Sequence, residues 1–72
     1  MNPLRKITWV GSSKHQLVTF PEPVQKEIGF ALHMIQEGKI PRNSKPLKGI
    51  GSGVMEIVSD FDKNTFRVSV RS

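Results

Sequence analysis

The sequence contains no cysteine among its 72 residues. Neither a disulfide framework nor a thiolate metal site can therefore support the small core of so short a chain. Long hydrophobic runs are also missing near the N-terminus, where the apolar segment at residues 7–10 is too short for a signal-peptide core or a membrane span. These absences predict a single cytoplasmic domain over residues 1–72 that does not associate with a membrane.

Acidic residues are scarce, since six Asp and Glu stand against eleven Lys and Arg, for a net charge of +5. This excess favours a polyanionic partner, nucleic acid first and an acidic protein second, although a basic surface can also serve solubility alone. Residues 38–55 contain no acid at all. Their four cations are Lys39, Arg42, Lys45 and Lys48. A basic stretch of this kind can neutralise several phosphates and release their counterions, so we predict that it binds the RNA backbone.

The apolar spacing and the helix breakers predict two helices after a first strand. Residues 5–10 favour a strand, and a serine at position 12 or 13 can begin a short helix that ends at the prolines of residues 21–23. A second helix is indicated by one apolar stripe with helical spacing, formed by Val24, Ile28, Ala31, Leu32 and Ile35. Gly38 and Pro41 end it. Two prolines and three glycines within residues 39–53 then predict a loop.

Two strands joined by a tight turn at residues 62–64 are predicted at 54–61 and 65–71. Strict alternation directs Phe66, Val68 and Val70 to the core and places Arg67 and Arg71 on the other face. The predicted fold class is α+β, in the order β, α, α, β, β, with a helical hairpin packed on a small antiparallel sheet. Because the last hairpin ends at Ser72 without another strand, we expect an open sheet edge, which a homodimer could cover.

Several short segments, taken in their order along the chain, resemble one protein family. They are Trp9 with the following Gly-Ser-Ser, Phe20-Pro21, residues 28–32, Gly38 with Pro41, residues 45–49, residues 51–57 and residues 64–68. Their order and spacing are similar to the RelE/ParE superfamily of toxins and, within it, to the phage-derived HigB-like group. The resemblance runs through almost the whole chain.

The resemblance implies a toxin that enters the ribosomal A site and cleaves mRNA, and that a cognate antitoxin of helix-turn-helix type holds inactive. Relatives of the ParE branch act on DNA gyrase instead, and one scaffold hosts both activities. The family usually has Tyr where Phe66 stands, and after Arg67 it continues through an apolar strand into a further strand and an aromatic, His- and Lys-rich tail. The implied fold is therefore RelE-like but lacks the last strands. Three alternatives stay open: an mRNA endonuclease, a truncated and catalytically inactive relative that binds RNA or an antitoxin, and a structural fragment.

Cleavage of RNA without a metal needs a base for the 2′-OH proton, an acid for the leaving oxygen and cations for the charge that builds on the phosphorane. The chain supplies the cations, and the catalytic candidates are Arg67 and Lys48. The predicted RNA-binding residues are Lys39, Arg42, Lys45, Lys48, Arg67 and Arg71. Glu56 is a strand carboxylate that could act as the base or pair with Arg67.

The sequence predicts neither a metal site nor a cofactor. The two histidines, His15 and His33, fall on separate predicted helices, where surface positions explain them. The glycine-rich residues 49–53 precede a strand and not a helix, so they do not match a phosphate-binding loop.

Overall fold

The computed structural model describes residues 5–47, 49 and 53–71. Two helices and four strands follow one another along the chain. They are β1 (Thr8–Trp9), α1 (Ser13–Leu17), α2 (Glu22–Gln36), β2 (Ser44–Pro46), β3 (Val54–Phe61) and β4 (Asn64–Arg71). The four strands form one antiparallel sheet in the order β1-β4-β3-β2. The predicted α+β class, with two helices packed on an antiparallel sheet, is confirmed.

Helix α2 begins and ends at the residues that its sequence signals. Pro23 lies in the first turn, where its missing N–H leaves no hydrogen bond unmade. At the other end Gly38 adopts a φ of 84°. The Gly38 N–H donates to the carbonyl of Ile35 at 2.9 Å, and the Lys39 N–H donates to the carbonyl of Met34 at 2.9 Å. This pair of bonds is a Schellman motif, which needs a residue that tolerates positive φ.

The core lies between α2 and the two long strands. Its buried residues are Val24, Ile28, Ala31 and Ile35 of α2, Ile57 of β3, and Val68 and Val70 of β4. Leu32, predicted as part of the stripe, is only half-buried and packs at the margin. At 3.6 residues per turn it lies roughly 80° around the helix from Val24, away from the centre of the buried face.

Helix α1 is attached to the sheet by a serine and by an aromatic contact. Ser13 is buried, and its Oγ accepts a hydrogen bond of 2.9 Å from the Ser69 N–H. The expected side-chain cap of the helix is absent, since neither Ser12 as N-cap nor Ser13 makes one among the described bonds. After the helix, Phe20 meets Phe66 with ring centroids 4.8 Å apart. Leu17 of α1 and Phe20 both pack against the core, so α1 lies on the same side of the sheet as α2.

The first strand is shorter than predicted, and it lies at an unexpected place. Thr8 pairs with Arg71 and Trp9 with Val70, so β4 lies inside the sheet and not at its edge. Upstream, the Arg5 N–H donates to the carbonyl of Gln36 at 2.9 Å, so the chain there follows the end of α2. The prediction that the last hairpin forms the open edge of the sheet was wrong, because β1 pairs with the end of β4 and covers part of that edge.

The segment predicted as a loop contains a strand, which is a second correction. Strand β2 pairs with residues 55–57 of β3, and the pairing continues at both ends. The Leu47 N–H donates to the carbonyl of Val54 at 2.9 Å, and the Val58 N–H donates to the carbonyl of Asn43 at 2.8 Å. Pro46 has no N–H to donate. It is compatible with β2 because the outward side of an edge strand has no partner strand, so the missing N–H costs no bond within the sheet.

The turn between β3 and β4 sets the register of the hairpin. Asp62 and Lys63 have φ values of 50° and 65°, as a two-residue turn with both central residues left-handed requires. Strand β4 therefore starts at Asn64, one residue before its predicted start, and pairs there with Phe61.

We expect Ile28→Ala to destabilise the protein by about 2–5 kcal/mol, because Ile28 is fully buried in the centre of the core. Phe30→Ala is the control, since Phe30 is 69% exposed on the same helix. Thermal unfolding followed by circular dichroism measures both. Equal losses from the two variants would show that the buried face of α2 is misassigned.

The two glycines of the α2 region should respond in opposite ways to alanine. Gly29 is exposed in the helix interior and a Cβ there would meet nothing within 4 Å. Gly29→Ala should therefore stabilise the protein by about 0.5–1 kcal/mol. Gly38→Ala should destabilise it, because alanine at a φ of 84° is strained. Urea unfolding of both variants gives the sign, and a gain from Gly38→Ala would contradict the Schellman ending.

Candidate nucleic-acid interface

The sheet has two faces of different character. Phe66, Val68 and Val70 point toward the helices, as their packing in and against the core shows. Side chains that alternate with them, and the residues paired opposite those, point to the other side. We call that side the outer face; its residues include Lys45 on β2, Val54, Glu56, Val58 and Asp60 on β3, and Thr65, Arg67, Ser69 and Arg71 on β4.

Three cations of the outer face surround one carboxylate. Lys45 is paired directly with Glu56, and its Nζ lies 3.5 Å from the Glu56 Oε1. On the other flank Glu56 is paired with Ser69. Arg67 and Arg71 precede and follow Ser69 by two residues, so each is a diagonal neighbour of Glu56, about 7–8 Å away along the sheet. We call Lys45, Glu56, Arg67 and Arg71 the cation cluster.

The positive groups of the cation cluster are exposed to solvent, whereas its carboxylate is largely shielded from solvent. The Lys45 side chain is 64% exposed, whereas that of Glu56 is 16% exposed. Arg67 and Arg71 are both exposed. The three cations are therefore the exposed groups of the cluster, and the carboxylate is the shielded one.

Valines lie between the cations. Val58 is paired with Arg67 and Val54 with Arg71 across β3 and β4. Val54 is buried and Val58 half-buried. The aliphatic stems of arginines pack well on such a surface, which leaves the guanidinium groups in water. The sequence signal for this face was the alternation in β4, which placed Arg67 and Arg71 on one polar surface.

The other predicted RNA-binding residues lie elsewhere. Lys39 follows the end of α2, and its Nζ lies 3.8 Å from the Glu37 Oε1. Arg42 is exposed in the turn before β2. Lys48, the second catalytic candidate, lies outside the described residues. The structure thus brings Lys45, Arg67 and Arg71 together, whereas Lys39 pairs with Glu37 and Arg42 lies in the turn before β2.

Both histidines lie on the helices, as predicted. His15 is exposed on α1, and His33 is exposed on α2 with its Nε2 3.6 Å from the Glu37 Oε1. Phe66 packs against Phe20 on the helix side of the sheet. None of these three residues belongs to the cation cluster.

Within residues 5–47, 49 and 53–71, no three His, Asp or Glu side chains are close enough together to hold a metal ion. No helix in that part of the chain is both long and apolar enough to cross a membrane.

The chain has no match among curated proteins, and none among solved structures. One family model does match, with the description Phage derived protein Gp49-like (DUF891), over residues 15–70. The matched stretch runs from α1 into the end of β4 and includes Lys45, Glu56 and Arg67 of the cation cluster. It covers most of the 72 residues. The chain therefore belongs to the Gp49-like family of phage-derived proteins, a RelE/HigB-like group.

Proposed function

We propose that this protein is a RelE/HigB-like toxin that binds mRNA on the ribosome through the outer face of its sheet and cleaves it there. The observation that carries the proposal is the convergence of Lys45, Arg67 and Arg71 around Glu56 on one solvent-facing surface. Membership of the Gp49-like family supports the toxin class, and the cation cluster supports a phosphate-containing ligand.

The cluster suits a single strand of RNA that crosses β4. Arg67 and Arg71 are four residues apart, which places them about 13 Å apart along the strand. They therefore hold different phosphates of one strand, each through a two-point guanidinium contact. Lys45 adds a compact charge on the far side of Glu56.

The proposed reaction is attack of a ribose 2′-oxygen on the adjacent phosphorus, with loss of the 5′-oxygen of the next nucleotide. Arg67 stabilises the charge that builds on the phosphorane oxygens. Glu56, once Lys45 has moved to a phosphate, is placed to accept the 2′-OH proton. The leaving 5′-oxygen takes its proton from water. Lys48 stays a catalytic candidate from the sequence alone.

A second candidate function is RNA or antitoxin binding without cleavage. It is favoured by the position of His15 and His33, which lie on the helices and not in the cation cluster. The cluster supplies one carboxylate and three cations, whereas cleavage of RNA also needs an acid to protonate the leaving oxygen. For either function, the family resemblance suggests a helix-turn-helix antitoxin as the cognate partner, and dimerisation through a sheet edge stays a prediction.

Binding to single-stranded RNA should weaken steeply with salt. Each phosphate neutralised adds about 0.7 to the slope of log affinity against log salt concentration, so Lys45→Ala and Arg67→Ala should each lower the slope by about that amount. Lys26→Ala is the charge-matched control, because Lys26 pairs with Glu22 on the surface of α2. Glu56→Gln should raise the affinity, since it removes a negative charge from the cluster. Fluorescence anisotropy over a salt series measures all four variants. If Lys26→Ala changes the slope as much as Arg67→Ala, the binding is general to the surface.

Expression in a bacterial host should arrest growth and produce ribosome-dependent cuts in mRNA. Arg67→Ala should lower cleavage by about 10²–10³-fold, the loss typical of one transition-state donor. Arg67→Lys should also lower cleavage, because the lysine ammonium cannot make the two-point contact with a phosphate. The control variant Lys26→Ala should cleave mRNA as efficiently as the unchanged protein. Primer extension on reporter mRNA gives the read-out. Absence of cuts would refute the first candidate function, and salt-dependent RNA binding without cuts would support the second.

A further inference from the structure

A hollow of about 240 Å³ lies where α2 ends above the sheet. It is lined by Arg5, Ile35, Gly38, Lys39, Ile40 and Met55. Sites for small molecules commonly measure about 300–1,000 Å³. The hollow is therefore suited to one large side chain presented by another molecule.

This hollow is on the opposite side of the sheet from the cation cluster. Met55 is paired with Val70 and packs against the core beneath the helices. Its neighbour Glu56 points to the outer face, because successive side chains of a strand alternate. A ligand in the hollow therefore does not occupy the RNA-binding surface proposed above.

The lining is aliphatic. Ile35 is buried at the end of α2, Met55 is half-buried, and Ile40 is 77% exposed at the rim. The exposed Ile40 side chain is an apolar surface that the described part of the fold leaves uncovered, so a ligand can contact it. Among the residues that the structure describes, the lining includes no aromatic ring. Since unpaired bases bind by stacking on aromatic rings, the lining favours an aliphatic group over a nucleobase.

Two cations border the hollow. The Arg5 guanidinium lies against Gly38, where a Cβ would be 3.7 Å from its Nη2. Lys39 follows Gly38 directly and shares its charge with Glu37, at 3.8 Å. The carbonyl of Gln36 already accepts the Arg5 amide, and the preceding carbonyls accept those of Gly38 and Lys39. These carbonyls are thus satisfied within the chain. None of the described ion pairs involves Arg5, and Lys39 can exchange its contact with Glu37 for an external carboxylate.

We propose that the hollow binds an acidic aliphatic segment of a partner protein. One large aliphatic side chain enters between Ile35, Ile40 and Met55, and a neighbouring carboxylate contacts Arg5 and Lys39. Charge complementarity selects this occupant, since the hollow combines an apolar floor with a cationic rim in a chain of net charge +5. The proposal does not depend on RNA cleavage.

The test uses three acetylated tripeptide amides of defined composition. The probe has leucine between two glutamates; one control has leucine between two glutamines, and the other has alanine between two glutamates. Titration into ¹⁵N-labelled protein at low salt should shift the amides of Gly38, Lys39 and Ile40 in a saturable way. Each control peptide should bind about tenfold more weakly, because it lacks the charge or the aliphatic group.

Matched variants locate the site. Ile40→Ser and Lys39→Glu should each weaken probe binding about tenfold, and both positions are exposed, so folding is retained. Val18→Ser and Lys26→Glu are the controls, at exposed positions that do not line the hollow. Ile40→Ser should leave RNA affinity unchanged, which separates this test from that of the RNA-binding surface. The proposal is overturned if no probe binds, if the controls lose as much affinity, or if the shifts fall on Arg67 and Arg71.

Discussion

The packing of α2 on the two long strands decides the rest of the structure. Ile28 and Ile57 are both fully buried where helix and sheet meet. Burying one face of β3 and β4 against α2 sends every alternate side chain to the other side. The cations of β4 therefore reach the outer face as a consequence of where Val68 and Val70 must lie. Stability and the candidate RNA-binding surface have the same physical origin.

The turn at Asp62 and Lys63 then determines which residues meet on that surface. Its two left-handed residues set a register in which Glu56 is opposite Ser69, midway between Arg67 and Arg71. A slip by one residue would exchange core and surface side chains along the whole strand. The buried valines of β4 prevent such a slip, so the geometry of the cation cluster depends on the core as well as on the turn.

The sheet separates the two surfaces for which we propose ligands. The cation cluster faces outward around Glu56, with charged groups that suit a phosphate backbone. On the helix side, the hollow beside Gly38 and Ile40 combines an aliphatic floor with two cations, which suits an acidic aliphatic segment. Because Met55 and Glu56 are neighbours on β3, the two surfaces are back to back across a single strand. The two ligands that we propose therefore occupy separate faces of the sheet.

The sequence by itself determined the elements that depend on near neighbours. Helix α2 with its glycine ending, the β3–β4 hairpin and the exposure of Arg67 and Arg71 all follow from local spacing and turn chemistry. Only the tertiary structure decided that β1 covers the end of β4, that Ser44–Pro46 forms a strand, and that Lys45 lies beside Glu56 while Lys39 does not. These are pairings between distant segments. The first strand was indicated locally, but local spacing does not say which edge of the sheet it joins, and Ser44–Pro46 carries little strand signal of its own.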